Sequence, residues 1–396
     1  MALADIYQKA TLVQIPSGYK AADAELYSVV PNTTAGDFTV SVDAYATRVN
    51  KDGLVESVAA NQARLDYDPT NPQDPTLLLE PERTQLAGYP TAITSANSYG
   101  LTDGTLTAND STAPDGSLTA STFKATSANG QFQKVKTSSS GVEYTVSVYV
   151  KRKTGTGTVY LRAVENANTA VTVTNEWTRV SATVTSTSTS IRFGMALATS
   201  GDEIFVWGFQ VEVGSYPTSF IPNADNSEIT RTVDSCNKTT FANIPTNYPF
   251  TAFWQGNIDD YDASGFTSQV AFSLHHSGVL NCYFALNFKS TSELTLRRRN
   301  TTDNSQTISF TSNKNTTYKI AVCFISATAA KVYINGAEVL DSTSLTSIPY
   351  ISSDTPDSVL IGQLRDNTDT GKRNSCDQFM LFNEELSESE LTTLTS

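Results

Sequence analysis

The 396 residues carry 40 acidic side chains against 27 Lys and Arg, for a net charge of −13. Such a surface repels nucleic-acid phosphates and anionic membranes and argues against both as partners. No apolar run approaches the ~18 residues of a membrane-crossing helix.

The charged fraction, 17%, falls below the usual ~25%. Thr, Ser and Asn fill the gap, and they suit turns and half-exposed pleated surfaces. With 18 Phe and 17 Tyr, each domain can still bury a core. The start, Met1-Ala-Leu-Ala-Asp5, lacks the basic and apolar regions of a signal peptide, so the expectation is assembly in a cytoplasm. Residues 1–81 are poor in strand pattern and hold a Pro-rich stretch, Asp68 to Pro75. They are expected to form an extended anchoring arm that lies along other surfaces or pairs with neighbouring subunits.

From Glu82 to Asn223 the apolar residues alternate with Thr and Ser, as in Tyr144-Thr-Val-Ser-Val-Tyr-Val150 and Val171-Thr-Val-Thr174. That period of two marks half-buried strands. Turns punctuate them at Pro114-Asp115-Gly116 and Thr154-Gly-Thr-Gly157, and earlier at Lys51-Asp52-Gly53. The pattern continues from Ala224 to Ser396, with Lys331-Val-Tyr-Ile334 turning at Asn335-Gly336. The expected fold class is therefore all-β: an arm over 1–81, then antiparallel sandwiches over 82–223 and 224–396. One helix is expected at the C-terminus, Ser387 to Leu394, with Ser387 as cap, Glu390 closing a capping box, and Leu391 and Leu394 as its apolar side.

Three blocks carry a resemblance. Arg48 to Asn61, Ala63-Arg-Leu-Asp-Tyr-Asp68 and Leu77-Leu-Leu-Glu-Pro-Glu-Arg-Thr84 resemble a leader of tailed-bacteriophage tail and virion proteins, with Gln85 where Asn is usual. Ala113-Pro-Asp-Gly116, Glu143 to Lys151, Glu176-Trp-Thr-Arg-Val180, Ile204 to Glu212 and Gly214 to Pro222 resemble a carbohydrate-binding-module-like jelly roll, with Phe220 in place of Tyr. Lys331 to Val339, Val359-Leu-Ile-Gly362 and Gly371 through Asp377-Gln-Phe-Met-Leu-Phe382 into Leu386 to Leu391 resemble concanavalin A-like, or laminin-G-like, domains. The resemblance implies a peripheral virion protein, as tail fibre, head fibre or capsid decoration. It would be anchored to other virion proteins by its arm, homo-oligomeric with a trimer favoured, and able to bind host surface polysaccharide for adsorption. The alternative is a glycan-depolymerising enzyme of a phage tail.

No catalytic motif emerges: there is no G-x-S-x-G elbow, no phosphate loop and no H-E-x-x-H. A Ser-His-Asp triad, whose members come from anywhere in a chain, stays open. The expectation is no enzyme, no resident cofactor and no defined catalytic or metal residue. His275 and His276 are adjacent, so on a strand they face opposite ways. Asp259-Asp-Tyr-Asp262 and Asp366-Asn-Thr-Asp369 read as solvated loops or as calcium loops. Cys236, Cys282, Cys323 and Cys376 are unclustered and read as apolar core residues. Trp177, Trp207 and Trp254 are the candidates for stacking on a sugar ring, each also readable as packing, Trp207 on a core face. Arg297-Arg-Arg299 reads as a guard against edge aggregation, or as a partner for acids of another subunit.

Overall fold

The computed structural model describes residues 2–16, 25–68, 71–163, 167–258, 269–276, 283–290, 292–299, 303–313, 316–345, 356–364 and 374–396. The chain is all-β with antiparallel ladders, and the described residues add two short α-helices, Leu3–Tyr7 and Glu388–Thr395. It divides into two compact units. One is Met1–Asp43, Ala59–Pro81 and Val233–Ser396, and the other is Ala44–Val58 and Glu82–Thr232.

The second of these is a jelly roll. Its strands are Ala120–Ala125, Gly130–Thr137, Glu143–Thr154, Val159–Ala163, Ala167–Val171, Thr178–Thr185, Ser190–Leu197 and Glu203–Val213. Numbered first to eighth, one sheet runs first, eighth, third, sixth, and the other second, seventh, fourth, fifth. That order is the double Greek key. Gly104–Ser111 extends the first sheet and Gly100–Thr102 the second. Alternation sends Val146, Val148, Val150, Ile204 and Val206 inward from one sheet, and Phe132, Leu161, Phe193 and Met195 inward from the other. Tyr99 meets Phe132, Phe193 and Phe209 at ring-centroid distances of 6.0, 6.2 and 6.0 Å. Full burial of each large apolar side chain contributes roughly 1.5–3 kcal/mol.

The other unit is a larger sandwich. Its first sheet runs Ala337–Ser342, Ala329–Ile334, Thr317–Ser326, Phe250–Ile258, Asn374–Phe382, Leu12–Gln14, Ser28–Val30, with Asn71–Leu79 also on Asn374–Phe382 and Leu65–Asp68 beside Asn71–Leu79. The second runs Glu25–Leu26, Phe38–Ser41, Ser235–Lys238, Ser358–Ile361, Gln269–His275, Tyr283–Ser290, Glu293–Arg299, Asp303–Ser309. Rings close the space between them, as in Phe272–Phe379 and Phe250–Phe284, both 5.3 Å. Helix Glu388–Thr395 has the expected cap: Ser387 Oγ accepts from Glu390 N, and Ser387 N donates to Glu390 Oε2 at 2.8 Å. Leu391 and Leu394 are buried. Cys236, Cys323 and Cys376 are buried free thiols, while Cys282 lies outside the described residues.

The structure departs from the expectation over 1–81. This stretch is built of short strands: Leu12–Gln14 lies against Asn374–Phe382, Phe38–Ser41 against Ser235–Lys238, and Thr47–Val49 pairs with Val55–Ser57. Segments of three or four residues carry too little periodicity to be read. The first two become strands only through ladders to residues far along the chain. Pro72 and Pro75 fall within Asn71–Leu79, but its registered pairs are formed by Asn71, Thr76, Leu77, Leu78 and Leu79, so neither proline has to donate to a ladder. The unit boundaries consequently fall elsewhere than at 81 and 223. Arg297-Arg-Arg299 also departs from expectation. Glu293–Arg299 is paired on both sides, to Tyr283–Ser290 and Asp303–Ser309, so it is no edge to guard.

Candidate binding cleft

The jelly-roll unit carries a cleft of about 490 Å³ lined by Tyr45, Thr47, Val55, Glu56, Asp115, Trp207, Phe220 and Asn223, with Ala44, Ser57, Thr91, Pro222 and Ala224 completing it. One wall is the hairpin Thr47–Val49/Val55–Ser57. Its tip is shaped by Asn50, whose Oδ1 accepts from the Asp52 and Leu54 amides at 3.0 Å, and by Gly53 at φ 77°. Left-handed backbone is inexpensive for Gly, which explains the residue there. Val55 N donates to Pro114 O at 2.9 Å and Thr47 Oγ1 to Phe220 O, fixing the hairpin to the sandwich.

The floor is Trp207 and Phe220, 1% and 3% exposed, with ring centroids 4.7 Å apart. Trp207 is buried, but on the outer face of its sheet and not in the sandwich core. Gly208 at φ 69° is the cause. The register slips between Ser147–Gln210 and Tyr149–Trp207, so Phe209 points into the core while Trp207 points out. The outward Trp207 packs under Val55, Ala113, Ala120 and Phe220, and its Nε1 donates to Thr119 Oγ1 at 3.0 Å. Trp207 is packed in an apolar cluster, as expected, but strict alternation from Phe205 to Phe209 hides the reset of phase that puts this cluster outside the sandwich core. Trp177 is half-buried beside the same cluster, its Nε1 donating to Thr112 O at 3.1 Å. Trp254 lies in the core of the other unit.

Phe220 is held by a buried polar network beneath the segment Gly214 to Pro222. Glu212 accepts from Thr218 N and Oγ1, both at 2.7 Å, and from Gln210 Nε2 at 3.1 Å. Gln210 Oε1 accepts from Ile221 N at 2.8 Å. Arg179 Nη1 donates to Thr218 O at 2.6 Å and Arg231 Nη1 to Ser219 Oγ at 2.8 Å. Buried polar groups satisfied in this way fix one conformation of the segment that carries the floor.

The rim supplies an aromatic ring and polar groups. Tyr45 is 44% exposed. Asp115 sits on a turn where its Oδ1 accepts from Ser117 N at 2.9 Å and Oγ at 2.6 Å. Asn223 donates to Ser227 O at 2.7 Å and accepts from Asp225 N at 3.0 Å. Glu56 meets Arg48 Nε at 2.7 Å and Asn50 Nδ2 at 2.9 Å. Burial pushes its carboxyl up, but the hydrogen bonds from Asn50 and Arg48 and the Arg48 charge outweigh this and hold it below the usual carboxylate range. Of the residues singled out in the sequence, Trp207 lines the cleft with Asp115 and Phe220. Tyr45 and Asn223 carried no site signal of their own, and Glu56 and the hairpin fall within the leader-like block Arg48 to Asn61 with its Lys51-Asp-Gly53 turn.

In the other unit His275 ends strand Gln269–His275 and is buried, and His276 follows half-buried. No cluster of three metal-ligating side chains occurs among the described residues. The acidic stretches Asp259–Asp262 and Asp366–Asp369 lie outside them.

Residues 262–392, all within this larger sandwich, match the concanavalin A-like lectin/glucanase superfamily. No curated protein matches the chain. Among solved structures, the chain is similar to the Ruminococcus gnavus IT-sialidase CBM40 bound to α2,3-sialyllactose, at 17% identity over 39% of this chain and 87% of that one, with a TM-score of 0.32. It is also similar to Trypanosoma rangeli sialidase, at 15% identity over 40% of this chain and 25% of that one, TM-score 0.32. Likenesses this faint bear on neither ligand nor reaction.

Proposed function

We propose that the chain is a non-catalytic saccharide-binding protein whose jelly-roll cleft takes a sugar ring. The observation that carries this is the pairing of an exposed aromatic rim, Tyr45, with an apolar floor, Trp207 and Phe220, inside a ring of hydroxyl, amide and carboxylate groups. Aromatic faces match the apolar face of a pyranose, and the few polar groups around them orient its hydroxyls. Binding is favoured over hydrolysis by the state of Glu56. A glycosidase needs one of its two carboxyls kept protonated near its working pH, and Arg48 and Asn50 drive Glu56 the other way, which removes it as that acid. A glycan array probed with the full chain should give a defined set of binders, and Tyr45→Ala should weaken them about tenfold or more with an unchanged circular-dichroism spectrum. Uniform silence on the array, or release of reducing ends from a bound glycan, would sink this reading.

The resemblance of Arg48 to Thr84 to a phage leader supports a location for it. The chain would be a peripheral protein of a tailed-phage virion, trimeric, displaying both sandwiches toward host polysaccharide. Gold-labelled antibody on intact particles should decorate head or tail, and light scattering of the purified chain should give three copies. Unlabelled particles would remove the chain from the virion.

A further inference from the structure

Charge is distributed unevenly over the cleft. Its carboxylates are Glu56 and Asp115, and no Lys or Arg lines it among the described residues. The two carboxylates are not equivalent. Both oxygens of Glu56 are engaged within the hairpin, Oε1 by Arg48 and Oε2 by Asn50, so its charge is balanced beside it. Asp115 is different. Its Oδ1 is held by the Ser117 amide and hydroxyl, the residue is exposed, and its Oδ2 takes no hydrogen bond among the described residues. Gly116, at φ 82°, donates its amide to Ala113 O at 2.9 Å and fixes the turn in that pose. One uncompensated negative charge therefore stands at the rim of a cleft with an apolar floor, on a chain of net charge −13. A ligand carboxylate or sulfate entering there would lose its water against a like charge, while a hydroxyl or an ammonium could donate to Asp115.

We infer that Asp115 makes the cleft selective for uncharged or amine-bearing saccharides and sets it against acidic ones. This rests on the saccharide reading above and names the class that the same site takes. Discrimination by a repelling group adds to whatever the aromatic surfaces contribute, and those surfaces are blind to charge.

The test is calorimetric titration of the full chain with lactose, with glucosamine disaccharide, and with lactose bearing a sialic acid. The neutral and amine-bearing sugars should bind, and the sialylated one should bind at least about tenfold more weakly at low salt, a gap of ~1.4 kcal/mol. The gap should shrink in 0.5 M NaCl, as rim electrostatics do. Asp115→Asn keeps an acceptor for the Ser117 amide and removes the charge, so it should narrow the gap between lactose and its sialylated form to about threefold or less. Tyr45→Ala assigns the binding to the cleft. Sialylated lactose that binds as well as lactose, and is lost in Tyr45→Ala, would overturn the selectivity and leave the saccharide site standing. No binding of any of the three, or binding that Tyr45→Ala leaves intact, would overturn the site and the selectivity together.

Discussion

Trp207 and Phe220 lie 4.7 Å apart with their rings tilted 44°, so a residue in the middle of the jelly roll's last long strand is capped by one from the segment that follows it. The stack sits outside the sandwich core, and it is what gives the cleft a floor. Phe220→Ala should cost about 2–4 kcal/mol in urea unfolding of this unit, because the ring removed is buried and the network through Thr218 prevents the segment from collapsing into the gap. Trp207 would gain solvent, so fluorescence should shift to the red before any unfolding. A spectrum unchanged from the parent would mean that the stack does not shield Trp207.

Gly208 sets the phase of the strand. A Cβ there would meet Tyr149 Cδ2 at 3.3 Å and Phe220 Cε2 at 3.4 Å, and its φ of 69° is left-handed. Gly208→Asn, which tolerates such backbone, should lose least. Gly208→Ala should lose about 1–2 kcal/mol and Gly208→Val more, since a β-branched side chain opposes both the torsion and the contact. Melting temperatures in that order would support the bulge. A Val variant as stable as the Asn variant would show that the strand can run without it.

These two residues also show what the sequence carries and what it hides. The jelly roll was legible because long strands such as Glu143–Thr154 alternate cleanly, and the closing helix because Ser387 and Glu390 stand three apart. The burial of Trp207 was legible, but the face it occupies was not, because one glycine resets the alternation and a bulge leaves no periodic trace. What the hairpin packs against was hidden for another reason. Thr47–Val49 and Val55–Ser57 are three residues each, and they sit in sequence between segments of the other unit. Nothing local says which sheet they join. The contacts that decide it, Val55 to Pro114 and Thr47 to Phe220, span up to 173 residues.

The two ends of the larger sandwich are joined by charge. Lys9 Nζ lies 2.7 Å from Glu390 Oε1. The hydrogen bond from Lys9, with those from Ser387, outweighs burial and holds the Glu390 carboxyl down at about 2, against an ordinary 4.5. A depressed folded-state value means that the unfolded chain binds the proton first as pH falls. The stabilisation is therefore whole above about 4.5 and drains away as pH drops toward about 2. Because Lys9 is a third exposed, screening trims it to about 1–2 kcal/mol. Glu390→Gln should lower the urea midpoint at pH 7 and flatten its dependence between pH 5 and 2. If the variant and parent fell in parallel over that range, the pair would not be the source of the acid sensitivity.

The buried ion cluster of Arg64, Glu80 and Asp234 gives the leader-like motifs a physical reason. Arg64 comes from Ala63-Arg-Leu-Asp-Tyr-Asp68 and Glu80 from Leu77-Leu-Leu-Glu80, and all three side chains are fully enclosed. Arg64 Nη1 meets Glu80 Oε2 at 2.8 Å, Nη2 meets Asp234 Oδ2, and Asp234 Oδ2 also accepts from Glu80 N at 2.8 Å. Burial alone would lower the guanidinium's pKa, but the two carboxylates raise it above its ordinary value. Arg64→Met would leave two carboxylates enclosed without their cation, at a cost of about 3–5 kcal/mol. Such carboxyls have raised pKa values, so the folded variant would hold protons that the unfolded chain has released. Its stability should then fall as pH rises from 5 to 8, a slope the parent lacks. Adding Glu80→Gln and Asp234→Asn to Arg64→Met should recover much of the loss and abolish that slope, because the charges have gone. Denaturation of parent, single and triple variants at pH 5 and 8 decides it. A single variant with a flat pH profile would mean that water reaches these carboxylates and the enclosure is not tight.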